Sequence, residues 1–76
     1  MNNRYSLNTM LANQQADQKR LGVKLGKRCI KLGVPVAHIA EAMGVSRQTV
    51  YNWFIGAYDP KPQLTDNIKD LIKTLK

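Results

Sequence analysis

Apolar residues recur along this chain at three- and four-residue intervals, and no segment alternates with period two. Such spacing predicts helices throughout and an all-α fold, because a half-buried strand shows an apolar side chain at every second position. Asp17 is expected to open a helix that runs to Leu32, with Gly33 as its stop. On a wheel of about 3.6 residues per turn, Leu21, Leu25, Cys29 and Leu32 share one face. Gly22 and Gly26 are unfavourable inside that helix, unless they mark a place where another element packs closely.

Pro35 starts a second, short helix with Ile39, Ala40 and Met43 inward and Gly44 at its end. Val45 is the buried residue of a tight turn. Ser46 is a good N-cap for a third helix over Arg47 to Phe54 that stops at Gly56. The stretch from Gly56 to Pro62 reads as a loop. A last helix from Gln63 or Leu64 to Leu75 carries Leu64, Ile68, Leu71, Ile72 and Leu75 as one stripe. Residues 1–15 are polar apart from Leu7, Met10 and Leu11; a short helix capped by Asn8 and a flexible arm both fit them. The expected organisation is an arm or short helix over 1–16 and one domain over 17–76, a bundle of four to five helices.

Size narrows the function. A chain of 76 residues has room for one modest core and none for a separate catalytic or effector-sensing domain. No small-molecule effector is therefore expected. The single cysteine, Cys29, excludes an intramolecular disulfide and a multi-cysteine zinc cluster, and on its apolar face it reads as a small buried hydrophobe. His38 has no second ligand at suitable spacing, so neither a metal nor another cofactor is expected. Paired carboxylates, a nucleophile–base pair and a glycine-rich phosphate loop are all missing, which argues against an enzyme. No apolar run approaches the roughly 20 residues of a membrane span. The stretch Met1–Gln15 lacks the apolar core of a secretory signal, so a soluble cytoplasmic protein is the expectation.

Charge then points to a partner. Twelve Lys and Arg against five Asp and Glu give a net charge of +7 and a pI near 9.9. An excess of this size on so small a chain favours polyanions. A membrane-surface role would need the largest apolar stripes that the core itself requires.

The segment from Val36 to Trp53 meets the requirements of a helix-turn-helix. Ala40 is small where two helices cross, Gly44 permits the positive φ of the turn, and Val45 plugs it. Ile39, Met43, Val50 and Trp53 face inward. Arg47, Gln48, Tyr51, Asn52 and Ile55 remain outward on the third helix. Arg presents a fork that matches guanine O6 and N7, and Gln or Asn matches adenine N6 and N7. Arg47, Gln48 and Asn52 are thus candidates for base reading. Tyr51 either stacks on a sugar or phosphate or packs beside the N-terminal arm, and His38 is an exposed or phosphate-facing residue. The basic stripe Arg20, Lys24, Lys27, Arg28 and Lys31 either follows the phosphates or is a solvated face. Arg4 on a flexible arm is a candidate for the minor groove.

The stretch Leu25–Gly56 resembles the lambda-repressor and Cro-like helix-turn-helix domains of the XRE family. The resemblance rests on Leu32-Gly33, Ile39-Ala40-Glu41, Gly44-Val45-Ser46, Thr49-Val50, Trp53, Gly56 and Pro60. The turn Gly-Val-Ser-Arg-Gln-Thr-Val-Tyr is also similar to that of resolvase-type and transposase-type domains. The resemblance implies base reading by Arg47, Gln48 and Asn52. It also implies contacts of Ser46 and Thr49 with a phosphate or base edge, and a hold on the backbone by Tyr58 and Lys61. Three departures stand out. Pro35 and Val36 occupy the place of a polar cap and a phosphate-clamping Gln. Cys29 and Phe54 occupy the places of an ion pair, and Pro62 suggests a longer loop.

By the same resemblance, the partner is double-stranded operator DNA with an inverted repeat, bound by a homodimer of bacterial or phage origin. Surplus apolar surface among Leu64, Ile68, Leu71, Ile72 and Leu75, with Leu7, Met10 and Leu11, is the candidate dimer contact. The expected function is a sequence-specific transcriptional regulator of phage or mobile-element repressor type. The alternative is an antitoxin-like interaction module that neutralises a partner and regulates its own operon.

Overall fold

Helix α1, Leu7–Gln15, begins where the hydroxyl of Ser6 accepts the N–H of Thr9 at 3.1 Å. The computed structural model describes residues 5–75. The cap is Ser6, two residues before the Asn8 expected from sequence, and the short helix rather than the flexible arm is what forms. It is not separable from the rest. Tyr5 is buried beside Phe54, its ring centroid 6.1 Å away, and its hydroxyl donates to the carbonyl of Val34. Asn13 is buried between two later helices. A boundary after residue 16 would cut this packing. Arg4 lies outside the described residues.

Asp17 does not open the second helix. Its carboxylate accepts the N–H of Lys19 at 2.9 Å and its carbonyl accepts that of Arg20 at 3.1 Å, so it closes a turn. Helix α2, Leu21–Leu32, follows and ends at Gly33, where φ is 71°. Its buried face is Gly22, Val23, Leu25, Gly26 and Cys29. Leu32, expected on that face, is 41% exposed. The rotation follows from the two glycines, which admit helix α4 so closely that they take the centre of the contact.

Helix α3, Val36–Met43, starts directly after Pro35. Gly44 ends it at φ 68°, its N–H shared by the carbonyls of Ala40 and Glu41, and the Val45 N–H also returns to Ala40 at 3.0 Å. Two residues later helix α4, Arg47–Phe54, begins under the cap of Ser46, with the bounds expected from sequence. A 3-10 turn, Pro62–Leu64, leads into α5, Thr65–Thr74. Among the described residues these five α-helices and one turn are the regular structure, with no strand.

The core is contributed by all five α-helices and by Tyr5. Leu25, Ile39, Val50, Phe54 and Ile68 are fully buried or nearly so. Ile68 is thus removed from the candidate dimer contacts, since the chain's own core covers it completely. Leu64, Leu71, Ile72 and Leu75 are half-buried and pack against the core, each keeping part of its surface outside.

Candidate nucleic-acid interface

Helix α4 has only eight residues and is held by what lies beneath it. Val50, Trp53 and Phe54 are buried. A Cβ built on Gly22 would fall 2.7 Å from the Cβ of Trp53, and one on Gly26 would fall 2.7 Å from the ring of Phe54. The two glycines, one helical turn apart, therefore let α4 sit directly on α2. From the other side Asn13 clamps the same helix end, its amide donating to the carbonyl of Phe54 at 2.7 Å and of Val23 at 3.1 Å. An isolated helix this short is marginal in water; burial and these contacts hold it.

Its outer side is open. Ser46, Arg47 and Gln48 are exposed, and Thr49, Tyr51 and Asn52 are half-buried. Ser46 accepts the N–H of Thr49 at 3.1 Å, and the two hydroxyls lie 2.9 Å apart. This leaves both at the rim of the helix N-terminus, where partial positive charge favours an anion. Gln48 donates to the side-chain oxygen of Asn52 at 3.3 Å. The bond aligns the two side chains with each other. Among the described residues the Arg47 guanidinium has no ion-pair partner within the chain. Tyr51 packs partly against the core, favouring packing over a free stacking platform.

Four of the expected contact residues line one cleft of about 490 Å³ between α4 and the loop before α5: Thr49, Asn52, Tyr58 and Lys61. Met43 and Leu64 contribute apolar walls. The loop is tied down, since the N–H groups of Ala57 and Tyr58 both donate to the carbonyl of Asn52, at 2.9 and 3.4 Å. Tyr58 is 66% exposed above it. Ser46, Arg47 and Gln48 stand at the end of the same helix. His38 is exposed on α3 and does not line this cleft.

Arg20 leaves the basic stripe in which the sequence placed it. Its Nε donates to Asp59 at 2.8 Å and its Nη1 to the carbonyl of Gly56, pinning the loop to the start of α2. The hydrogen bond between them, and with it their opposite charge, raises the Arg20 pKa and holds the Asp59 carboxyl below its ordinary value. Desolvation pushes the Cys29 thiol up to about 12, so it stays neutral in the core. Asn13 and Arg20 are the two positioning residues that sequence reasoning missed. A lone Asn in a polar stretch carries no signal of burial. The pairing of Arg20 joins residues 39 apart in sequence. Gly22 and Gly26 were the available signal for the close approach.

Among the described residues no three His, Cys, Asp or Glu side chains come together as a metal site would require. No helix among them is long and apolar enough to cross a membrane.

Comparison with known proteins adds one match. The homeodomain-like domain family matches residues 14–55, which takes in α2, α3, α4 and the last residues of α1. The match is to this type of helix-turn-helix and does not extend to the XRE type. Neither a curated protein nor a solved structure matches the chain. Since residues 14–55 are more than half of its 76 residues, the chain belongs to the homeodomain-like domain family of helix-turn-helix DNA-binding proteins.

Proposed function

We propose that this protein is a transcriptional regulator that reads double-stranded DNA by laying α4 in the major groove. The observation that carries the proposal is the outer side of α4. Arg47 and Gln48 are exposed at the N-terminal end of a helix whose opposite side is locked into the core. In this reading Arg47 bonds guanine O6 and N7, and Gln48 and Asn52 address adenine. Ser46 and Thr49 take a phosphate or base edge at the helix N-terminus. Tyr58 and Lys61 hold the backbone from the far lip of the cleft, and His38 is a lesser phosphate contact from α3.

One α4 covers too few base pairs to be selective, so the active species is a homodimer on an inverted repeat. Its recognition helices would lie about 34 Å apart, one turn of the duplex. The chain measures 33 Å along its longest axis, which suits one copy per half-site. The half-buried Leu64, Leu71, Ile72 and Leu75, or the exposed Leu7 and Leu11 of α1, supply apolar surface for the contact. Occupying an operator would make the protein a repressor.

Selection of bound sites from random duplex DNA tests this. The expected result is an inverted repeat with half-sites one helical turn apart. Unenriched sequences, or enrichment unaffected by Arg47→Ala, would overturn it.

A further inference from the structure

The outer face of α2 carries a second set of cations that the recognition helix does not use. Lys24, Lys27, Arg28 and Lys31 are all exposed and, with Gln18 and Ile72, line a groove of about 330 Å³ between α2 and α5. Among the described residues the Arg20–Asp59 pair is the salt bridge that forms, so no carboxylate neutralises these four.

Their direction matters most. Helix α4 rests on α2 at Gly22 and Gly26. At about 3.6 residues per turn, Lys24, Lys27, Arg28 and Lys31 lie roughly 120–180° around α2 from the centre of that contact. On α4, Gln48 and Asn52 lie roughly 150–170° around the helix from Trp53 and Phe54, the residues that meet those glycines. The Gln48–Asn52 side of α4 and the four cations of α2 therefore face away from each other across the α2–α4 contact, so a straight duplex laid on that side of α4 is not expected to reach the cations.

We infer that the outer face of α2 is a second nucleic-acid contact, which takes the phosphate backbone of another DNA segment while α4 reads its own. The inference rests on the DNA-reading role of α4. Charge and spacing identify the occupant. From Lys24 to Lys31 the helix advances about 10.5 Å at about 1.5 Å per residue. Along a strand, phosphates recur every ~3.4 Å of duplex axis, so this row faces about three of them. Ile72 is the one aliphatic residue of the groove, which leaves little to insert into a lipid surface. A regulator with this second face holds two DNA segments together, which concentrates it near its site and loops the intervening DNA.

Two readouts on mixed-sequence duplexes test the inference: anisotropy on one duplex, and capture of a fluorescent duplex by an immobilised one. Wild-type protein is expected to capture the second duplex. In Lys24→Gln/Lys27→Gln/Arg28→Gln/Lys31→Gln, capture falls at least about tenfold while single-duplex affinity changes less than about threefold. The milder Lys27→Gln/Lys31→Gln, at exposed positions, gives a partial loss. Lys24→Arg/Lys27→Arg/Lys31→Arg retains capture. Lys69→Gln/Lys73→Gln on α5 removes as much charge as the milder variant and leaves capture unchanged. Absence of capture by wild type, equal loss in the α5 control, or parallel loss of both readouts in the fourfold variant overturns the inference. So does recruitment of the four cations to anionic phosphatidylglycerol vesicles in place of a second duplex. Failure of the α4 reading looks different: Arg47→Ala/Gln48→Ala would leave the preference for the duplex selected from random DNA over mixed-sequence duplex intact.

Discussion

The side-chain amide of Asn13 donates to the backbone carbonyl of Phe54 at 2.7 Å, joining the first helix to the last residue of α4 across 41 positions of sequence. The same nitrogen donates to the carbonyl of Val23, so one buried amide ties α1, α2 and α4 together. In a low-dielectric interior a satisfied polar group specifies one arrangement, because every alternative leaves carbonyls without donors. This bond and the glycine contacts fix the height and tilt at which α4 presents Arg47 and Gln48.

Asn13→Ala is accordingly expected to destabilise the fold by about 1–3 kcal/mol, the range for buried groups left unpaired. Asn13→Asp should cost more, since a carboxylate would face two carbonyl oxygens. Urea titration followed by Trp53 fluorescence measures both. A variant Asn13→Ala as stable as wild type would show that the amide is dispensable.

Gly22→Ala and Gly26→Ala set two effects against each other. Helix propensity alone favours Ala by about 1 kcal/mol at each position. Sterically, the new Cβ at 22 meets the Trp53 carbonyl oxygen at 2.9 Å, a backbone atom, and that at 26 meets the Phe54 ring and the Asn13 amide within 2.8 Å. Overpacking of this kind typically costs about 1–3 kcal/mol, so the contact should win. Both variants are expected to have lowered denaturation midpoints, and a raised midpoint in either would refute the close α2–α4 contact.

The legible parts of this fold are those written in local chemistry. Ser46 as cap, Gly44 and Gly33 as stops and Val50–Trp53 as an inward pair placed α4 and its turn without reference to distant residues. What sequence reading misplaced depends on contacts made far along the chain. Asp17 reads as a helix start, but its carboxylate and carbonyl close a turn instead, with Arg20 drawn towards Asp59. Leu32 fits an apolar face in isolation, but the glycine contact rotates α2 and leaves it outside. Ile68 belongs to a stripe from which only packing can separate core from surplus. Of the interface, the exposed end of α4 was readable, and Tyr58 and Lys61 came by resemblance. The loop carrying those two was readable but its fixed position was not, because its anchors are a backbone carbonyl and a long-range ion pair.

Two groups give stability opposite pH dependences. Cys29 keeps its proton in the fold up to about 12, against an ordinary value of 9.0. The folded state therefore binds the extra proton between these values, and the thiol's contribution is intact below pH 9.0 and declines from there towards about 12. Asp59 is depressed by Arg20, so its contribution is present above its ordinary 3.8 and lost as pH falls through the lower folded value. The ion pair is exposed, and its share is small. Melting should show Cys29→Ala flattening the alkaline limb, while Asp59→Asn lowers the midpoint slightly at neutral pH and leaves it unchanged in strong acid. A thiol reagent at pH 8 should leave native protein unlabelled and label it fully in denaturant. Rapid native labelling would contradict the burial of Cys29.

Base reading and backbone holding leave different signatures, and Arg47 and Lys61 separate them. Arg47 stands at the exposed end of α4, without an ion-pair partner among the described residues, whereas Lys61 stands across the cleft beside Tyr58. Removing a bidentate base contact should cost about 1–3 kcal/mol on the preferred sequence and relax the choice at one base pair. Removing a phosphate contact should weaken all sequences alike and reduce the salt slope by about 1. Arg47→Ala is therefore expected to narrow the gap between specific and random duplexes, and Lys61→Ala to leave that gap unchanged. If a wild-type dimer neutralises roughly 6–10 phosphates, its affinity should fall about 10³–10⁵-fold between about 50 and 200 mM salt. Titrations of both variants on both duplexes across that range settle the assignment. Equal losses on specific and random DNA for Arg47→Ala would move Arg47 from the bases to the backbone, leaving Gln48 and Asn52 as the remaining reading pair.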